Sequence, residues 1–372
     1  MPGRPLGLSL KLGWYLLQQK IKGREHFPLT MILEPLEECN LTCTGCGRIR
    51  EYEPIIDRKL TVEQCVAAVE ECNPPVVSIA GGEPLMHPAI GEIVARIVRQ
   101  KRYVYLCTNA LLYRKALRVI KPSPYLSFVV HLDGLRETHD VAVERKGVYD
   151  VAIKAIKAFR DAGHRVCTNT TLFSGNQPEE YHRLFAMLND MGVEGMMVSP
   201  GFQYEEVAHH DIFLQREEAR SFFRRVFEGC RDSVRFYHNP LYLDFLIGAR
   251  EYECTQWSTP TYTPAGWRKP CYLIADEHVT TFDQLVETDW KAYGRGKDPR
   301  CETCMMHCGY EGSAIREAMS SPRALIEMIR RSSKPGVARK ARQLERAAPP
   351  ATDRNSGGQA LSLTGSERRR RQ

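Results

Sequence analysis

Short apolar runs alternate with amphipathic stretches over residues 29–201. The apolar runs are rich in β-branched and aromatic side chains, as buried parallel strands are. They predict six strands, over residues 30–35, 76–80, 103–108, 126–133, 166–173 and 195–200. Apolar positions at helical spacing predict the helices between them, over residues 62–71, 89–100, 115–120, 151–162 and 179–191.

This alternation of strands and helices predicts a parallel β/α array. The pattern alone does not distinguish an open, doubly wound sheet from a curved and incomplete barrel. No glycine-rich fingerprint of the dinucleotide-binding or P-loop type comes after the first predicted strand, so the usual nucleotide-binding folds are disfavoured. A group of cysteines occupies that place instead.

Beyond residue 201 the pattern changes. A helix predicted over 215–228 is followed by a Pro-, Trp- and Tyr-rich region over 239–267, and then by a second group of cysteines. This order predicts a C-terminal extension packed against the barrel. We therefore expect four segments: an N-terminal amphipathic segment (1–28), a core barrel (29–212), a C-terminal extension (213–320) and a basic, disordered tail (321–372).

Four apolar residues near the N-terminus, Leu10, Trp14, Leu17 and Ile21, recur at helical spacing, with lysines at other positions. Such a pattern is typical of an amphipathic helix. We expect its apolar side to pack on the barrel. The alternative is an interfacial helix that rests on a membrane surface.

The net charge of +7 arises from one segment of the chain. Residues 334–372 contain ten Lys and Arg against three Asp and Glu, a difference equal to the whole excess. This Pro-, Gly-, Ser- and Arg-rich segment is predicted to be disordered. The neutral remainder argues against nucleic acid as the main partner. No apolar run is long enough to span a bilayer and no secretory signal is visible, so a cytoplasmic location is expected.

Three of the thirteen cysteines, Cys39, Cys43 and Cys46, come after the first predicted strand with the spacing C-x3-C-x2-C. Three thiolates this close can hold three corners of a four-iron cluster and leave the fourth iron open for chemistry. A zinc site would need a fourth Cys or His nearby, and the loop offers none before His87. An iron–sulfur cluster is therefore predicted here.

With this motif the chain resembles the radical S-adenosylmethionine (SAM) superfamily. The resemblance implies a partial (β/α)6 barrel of the TIM type, in which SAM binds the open iron through its amino and carboxylate groups. It also implies that an electron from the cluster cleaves SAM to a 5′-deoxyadenosyl radical. Gly81, Gly82, Glu83 and Pro84 match the GGEP motif of the superfamily, which the resemblance assigns to the SAM amino group.

Polar residues at the ends of the later predicted strands lie where a β/α barrel carries its active site. The resemblance places Thr108, Asn109 and Asn169 at contacts to the SAM ribose and carboxylate, and the adenine near residues 198–200, which include Ser199. His131 and Asp133 could position SAM or substrate, or could be satisfied polar groups near a turn.

The second cysteine group begins with Cys254, Gly266 and Cys271, a spacing similar to the opening of SPASM and Twitch extensions. This implies one auxiliary cluster on Cys254, Cys271, Cys301 and Cys304, with Cys308 spare. The alternatives are a zinc site, with His307 nearby, or thiols without metal.

Longer strings resemble the adenosyl-hopene transferases (adenosylhopane synthases) of hopanoid biosynthesis, from near the N-terminus to about Gly312. They include LEPLEEC from Leu33, SIAGGEPL from Ser78, LCTNA from Leu106, VHLDG from Val130, SPG from Ser199 and GWRKPCY from Gly266. This resemblance implies addition of the 5′-deoxyadenosyl radical to the terminal alkene of diploptene, with flavodoxin or ferredoxin as electron donor. An apolar substrate of this kind would also give peripheral membrane contact a purpose.

Cys107, at the end of the third predicted strand, is a candidate hydrogen donor. Addition to a terminal alkene leaves a tertiary carbon radical, and a thiol S–H is weak enough to quench it. The alternative for Cys107 is a buried structural cysteine. Two other functions stay open: a radical SAM enzyme that abstracts hydrogen from another substrate, such as a peptide, and a non-catalytic iron–sulfur or zinc scaffold.

Overall fold

The computed structural model describes residues 6–207, 209–231, 233–332 and residue 341. Nine strands form one sheet in these ranges. They are β1 (Thr30–Leu33), β2 (Val76–Ile79), β3 (Tyr103–Thr108), β4 (Leu126–His131), β5 (Arg165–Leu172), β6 (Met196–Pro200), β7 (Thr261–Thr263), β8 (Gly266–Pro270) and β9 (Ala275–Val279).

Thirteen α-helices accompany the sheet in the same ranges. They are α1 (Leu6–Ile21), α2 (Arg48–Glu51), α3 (Val62–Cys72), α4 (Ile90–Arg99), α5 (Tyr113–Val119), α6 (Arg136–Ala142), α7 (Val148–Asp161), α8 (Pro178–Asp190), α9 (Arg216–Glu228), α10 (Pro240–Leu246), α11 (Phe282–Val286), α12 (His307–Ser320) and α13 (Pro322–Ser332).

The strand order decides between the two folds that the sequence left open. The order is β6-β5-β4-β3-β2-β1-β7-β8-β9, and neighbours from β6 to β7 are parallel. Because the first six strands succeed one another without the reversal of a doubly wound sheet, they form the wall of a partial barrel. The predicted partial (β/α)6 barrel is confirmed.

Helices cover the outside of this wall because alternate strand residues point outward to them. Phe128 of β4 stacks on Phe159 of α7, with ring centroids 3.9 Å apart. The ends of α3 show how local sequence sets the elements: Thr61 and Gln64 form a capping box at its start, and Asn73 adopts a left-handed conformation after its end.

The C-terminal extension joins the barrel through its sheet. Strand β7 pairs in parallel with β1, and β8 and β9 add antiparallel strands beyond it. The helix α10 is buried along its whole length, and Tyr242 of this helix donates a hydrogen bond to the Met305 carbonyl. The strands β7–β9 were not predicted, because their Pro- and Trp-rich sequence lacks the alternation of a regular strand.

Helix α1 lies across the N-terminal ends of β2 and β3. Leu8 contacts Val76 and Tyr103 there. The prediction that Leu10, Trp14, Leu17 and Ile21 pack on the barrel is wrong. These four side chains are 47–74% exposed. A second set of apolar residues on the same helix makes the contacts instead, namely Leu8, Leu12, Tyr15 and Leu16. A helix with two apolar sides does not reveal from its sequence which side is buried.

The segment after residue 320 differs from the disorder expected over 321–372. Its first part is the helix α13, which packs against α12. The rest of the predicted tail, apart from residue 341, lies outside the described residues. In the part of the chain that is described, no helix is long and apolar enough to cross a membrane.

Candidate active site

The loop after β1 carries Cys39, Cys43 and Cys46 into one cavity. The Cys46 N–H donates to the Cys43 carbonyl (3.1 Å), which folds the loop into a turn. The loop packs closely against an aromatic side chain: a Cβ at Gly45 would lie 2.7 Å from the Phe173 ring. The fold thus brings the three predicted cluster ligands together, as the cysteine spacing requires.

Burial opposes ionisation of these thiols. It raises the pKa of Cys39 to about 11 and raises the pKa of Cys43 further. Thiolates at this position therefore need positive charge beside them, which an iron–sulfur cluster provides on binding. No three Cys, His, Asp or Glu side chains among the described residues converge closely enough for a single metal ion. Three thiols on one loop in one cavity are the donor set of a four-iron cluster that keeps one iron open.

The GGEP loop after β2 packs directly against the chain that leads to the cysteines. A Cβ at Gly81, whose φ is +101°, would lie 2.3 Å from the Leu36 carbonyl oxygen. A Cβ at Gly82 would lie 2.1 Å from the Glu38 carbonyl oxygen. Because only glycine fits at either place, both positions are fixed by backbone packing. Pro84 begins the short 3-10 turn that comes next.

Glu83 ties the ends of β2 and β3 together. Its Oε1 accepts hydrogen bonds from Thr108 Oγ1 (2.8 Å) and the Leu85 N–H (3.0 Å). Its Oε2 accepts from the Asn109 N–H (2.8 Å). Burial outweighs these bonds and raises the pKa of Glu83 to about 7. In this arrangement the Thr108 hydroxyl is bonded to Glu83, and Thr108 also lines the cavity.

The side chain of Asn109 reaches the cluster loop. Its Nδ2 donates to Asn40 Oδ1 (2.7 Å) and lies 3.9 Å from Cys39 Sγ. Asn169 and Ser199 line the same cavity from β5 and β6. The Oδ1 atom of Asn169 is buried and has no hydrogen-bond partner within the described residues. It is therefore available to a ligand in the cavity.

His131 and Asp133 form an ion pair at the end of β4, with Nε2 and Oδ2 2.7 Å apart. Although burial opposes both charges, the Asp133 carboxylate raises the pKa of His131, and His131 lowers the pKa of Asp133. Asp133 also accepts a hydrogen bond from the Thr171 N–H (2.8 Å). Both residues line the cavity, in positions that bridge β4 to β5.

Cys107 lies inside the barrel on β3. Its Sγ is 3.6 Å from Ser78 Oγ, and it lines the same cavity as the three cluster cysteines. Burial raises the pKa of Cys107 to about 11. It therefore remains a neutral thiol at physiological pH, which is the form that a hydrogen-atom donor requires.

One cavity of about 440 Å³ joins these groups and runs through the barrel. At one end it is lined by the cysteine loop, the GGEP loop and the polar ends of the strands. At the other end most of its wall is apolar and comes from the start of the barrel and from the helices α1 and α12, through Leu8, Leu12, Leu29, Val76 and Ile315, with Thr30 and Ser258 as polar members. The cavity thus combines a polar end with an apolar end.

Several residues of this cavity were missed from the sequence. His238 accepts a hydrogen bond from the Val198 N–H (2.8 Å) at Nε2, and its Nδ1 lies 2.6 Å from a Glu311 carboxylate oxygen. Tyr204 and Tyr272 are further wall residues. The sequence assigned none of them a role, because Tyr204 comes from the loop after β6 and His238 and Tyr272 from the extension, and they reach the cavity only through tertiary packing.

The second cysteine group surrounds a smaller cavity that adjoins the first. It is lined by all five candidates, Cys254, Cys271, Cys301, Cys304 and Cys308. Cys308 lies with the other four, and it alone of the five also lines the first cavity. His307 lines the first cavity and is not among the residues that line the second. Burial raises the pKa of Cys301 to about 11 and of Cys304 to about 12.

A buried network of charges connects the two cysteine regions. Arg48, two residues after Cys46, pairs with Glu34 (3.1 Å) and donates to the Tyr272 carbonyl (2.6 Å). Arg268 pairs with Glu51 through both guanidinium nitrogens, at 2.5 and 2.9 Å, and donates to the carbonyl next to Tyr272, that of Cys271 (3.2 Å). No sequence pattern indicates this network, since charged residues are usually exposed.

Comparisons with known proteins agree with this site. Residues 33–188 match the radical SAM superfamily, and residues 196–328 match a domain of unknown function, DUF3463. Part of the chain is 28% identical over 143 residues to the Fe-coproporphyrin III synthase of Methanosarcina barkeri, which is 37% of this chain but only 35% of that enzyme. The antilisterial bacteriocin subtilosin biosynthesis protein AlbA of Bacillus subtilis is 28% identical over 325 residues, 80% of this chain and 70% of AlbA.

The fold is also that of a solved structure, Streptococcus suis SuiB bound to its precursor peptide SuiA. The TM-score is 0.59 at 15% identity, over 82% of this chain and 76% of SuiB. Residues 33–188 therefore form a radical SAM domain, and the cofactors of this superfamily are a 4Fe–4S cluster and SAM. The narrower resemblance to adenosyl-hopene transferases is not shown by these comparisons.

Proposed function

We propose that the chain is a radical SAM adenosyltransferase that acts on an apolar polycyclic alkene such as diploptene. The observation that carries this proposal is the cavity, which joins a polar cluster end to an apolar end. The strand β3 has six residues, so the barrel wall is roughly 20 Å long at about 3.3 Å per residue. A rigid, apolar molecule of similar length can lie along it with its alkene near Cys107.

In this proposal, residues at the polar end of the cavity bind the cofactors, and residues of the apolar wall surround the substrate. When bound, the cluster and SAM supply the 5′-deoxyadenosyl radical. Cys39, Cys43 and Cys46 would hold the cluster, while Gly81 and Gly82 would let the backbone approach the SAM amine. Asn109, Asn169 and Ser199 would contact the rest of SAM. The apolar wall excludes water from the carbon radical that addition leaves on the substrate.

Cys107 would complete the reaction by giving a hydrogen atom to this carbon radical. Its S–H bond breaks and a C–H bond forms, which leaves a thiyl radical on Cys107. One electron and one proton restore the thiol, and flavodoxin or ferredoxin is the proposed source of the electron. The neutral state of Cys107 and its place inside the cavity support this role.

We also propose that the five-cysteine cavity holds an auxiliary iron–sulfur cluster. Four of its members, Cys254, Cys271, Cys301 and Cys304, are those expected from the sequence, and Cys308 is a competing ligand.

A second candidate function is hydrogen abstraction from a peptide. AlbA is named for the biosynthesis of subtilosin, and SuiB binds its precursor peptide SuiA. By these names the comparisons support a peptide substrate more directly than a triterpene. The apolar, barrel-length cavity favours the first candidate.

The test is anaerobic reconstitution with iron and sulfide, followed by reaction with SAM, reductant and diploptene and by mass spectrometry. We expect an adenosylated triterpene, and no product from Cys43→Ala. Cys107→Ala should consume diploptene without giving the saturated product, whereas Cys167→Ala, a buried cysteine on β5, should behave as the wild type. Release of free 5′-deoxyadenosine with the alkene untouched would contradict the adenosyltransferase proposal and favour abstraction.

A further inference from the structure

The outer side of α1 carries an apolar stripe that the protein leaves in solvent. Leu10, Trp14, Leu17 and Ile21 are 68%, 62%, 47% and 74% exposed. They recur every three or four residues and so share one side of the helix. Exposed large apolar residues scattered singly are ordinary, but a continuous stripe of four marks a surface that contacts another apolar phase.

Positive charge accompanies this stripe. Residues 1–24 contain five Lys and Arg and no Asp or Glu. Lys20, Lys22 and Arg24 are exposed at the end of α1. A helix with Trp and Leu on one side and with flanking cations is the pattern of a helix that lies in the interface of an anionic bilayer.

The inner side of the same helix reaches the active-site cavity. Leu8 and Leu12 line its apolar end, together with Leu29 and Ile315. A single helix therefore separates this end of the cavity from the exposed stripe. A partner on the stripe would lie one helix diameter, about 10 Å, from the cavity.

We propose that α1 docks the protein on the surface of an anionic lipid bilayer and holds the apolar end of the cavity against it. Leu10, Trp14, Leu17 and Ile21 enter the acyl boundary, and Lys20, Lys22 and Arg24 contact lipid phosphates. An apolar substrate then passes from the bilayer to the cavity past α1. The docking is independent of the proposed function, which is needed only for the route of the substrate.

The experiment is flotation of the full-length protein with vesicles of phosphatidylcholine, with or without phosphatidylglycerol. We expect binding to the anionic vesicles, weaker binding at high salt, and little binding to phosphatidylcholine alone. The double variant Trp14→Glu/Leu17→Glu should lose roughly tenfold or more in vesicle binding, because it puts two charges into the apolar stripe. Lys20→Gln/Lys22→Gln should weaken binding to anionic vesicles only.

The matched control is Val119→Glu/Val141→Glu, which changes two other exposed apolar residues, on α5 and α6. It should bind vesicles as the wild type does. Circular dichroism and substrate-free release of 5′-deoxyadenosine from SAM report whether each variant is folded and active. A wild type that does not float, or a Trp14→Glu/Leu17→Glu protein that floats like the control, would overturn the proposal. The proposal would also be overturned if the wild type were a dimer and Trp14→Glu/Leu17→Glu dissociated it, because a second copy of the chain would then cover the stripe.

Turnover separates this proposal from the proposed function. With diploptene in anionic vesicles, Trp14→Glu/Leu17→Glu should form product roughly tenfold more slowly than the control variant. With diploptene in detergent the two should be equal. Vesicle binding without turnover of diploptene would refute the adenosyltransferase function and leave the docking proposal intact. Turnover of diploptene without vesicle binding would refute the docking proposal and leave the adenosyltransferase function intact.

Discussion

At the scale of single residues, the positions around the cysteine loop are fixed more by backbone packing than by side-chain chemistry. Gly81 has both a positive φ and a carbonyl oxygen where its Cβ would be. Gly175 also has a positive φ, of +80°, but open space around its Cβ position. The two glycines therefore separate the cost of the backbone conformation from the cost of the close approach.

Gly81→Ala is expected to lower the free energy of unfolding by at least about 3 kcal/mol and to abolish SAM binding, because the Ala Cβ would displace the Leu36 carbonyl. Gly175→Ala should lower it by about 1–2 kcal/mol, the cost of a left-handed conformation alone, and should leave SAM binding unchanged. Denaturant unfolding and calorimetric titration with SAM measure both effects. Equal losses in the two variants would show that the close approach has no role.

The ion pair of His131 and Asp133 predicts a pH dependence of stability. The pKa of Asp133 is lowered by folding, so its contribution is present above its unfolded pKa and is lost as the pH falls. The pKa of His131 is raised, so its contribution is complete below its unfolded pKa and is lost as the pH rises. Both contributions are therefore complete between about pH 4 and pH 6.5.

Asp133→Asn should lower the free energy of unfolding by roughly 1–3 kcal/mol in this window, since it removes a charged hydrogen bond. The difference from the wild type should shrink above the window. Urea unfolding across pH 4 to 9, roughly the span of these pKa values, measures it, with Asp57→Asn at an exposed loop position as the control. A difference that does not vary with pH would contradict the ion pair.

At the scale of elements, the extension is held to the barrel by β7 and by the buried pairs of Arg48 and Arg268. Arg268 has a side-chain exposure of 1%, and its guanidinium also donates to the Cys271 and Leu273 carbonyls. Without this guanidinium, the two carbonyl oxygens and the Glu51 carboxylate would lose their hydrogen-bond donor together. The five-cysteine region should therefore depend on this one arginine.

Arg268→Met is expected to lower the free energy of unfolding by about 3–5 kcal/mol, the usual cost of breaking a buried pair by removing one partner. Arg136→Met, which breaks an exposed pair with Asp150, should cost less than about 1 kcal/mol. Iron content after reconstitution should fall in the first variant and not in the second. Equal stability of the two variants would contradict the structural role of the network.

The elements themselves agreed closely with the sequence-based predictions where the alternation was regular. The third strand was predicted over 103–108 and has those bounds, and the other five barrel strands differ by at most two residues at either end. The two cysteine groups and the GGEP loop were also identified, because the spacing of a motif can be read directly from the sequence. The buried charge network that connects the two cysteine groups was not found.

The features that the sequence could not provide depend on tertiary contacts. The apolar stripe of α1 was visible, but not that the opposite side packs on the barrel. Thr108 lines the cavity, as its predicted cofactor contact requires, but the bond of its hydroxyl to Glu83 was not foreseen. Arg48, Glu34 and His238 were missed, because buried charges and cavity walls are set by neighbours far away in the chain.

At the scale of the whole molecule, the barrel, the extension and α1 contribute to one cavity. The barrel supplies the polar end and Cys107, the extension closes the side through Tyr272 and His238, and α1 closes the apolar end. Under the proposed function, this arrangement would keep a carbon radical away from water beside the polar cofactor groups and admit an apolar substrate. We therefore expect the radical and the alkene to meet inside this cavity.

The most direct test uses SAM labelled with carbon-13 in its adenosine, with diploptene and reductant in heavy water, followed by mass spectrometry. We predict that the triterpene product carries the labelled adenosyl group and one deuterium, delivered through the exchanged thiol of Cys107. Label that appears only in free 5′-deoxyadenosine, with the diploptene unchanged, would contradict a meeting of radical and alkene in the cavity.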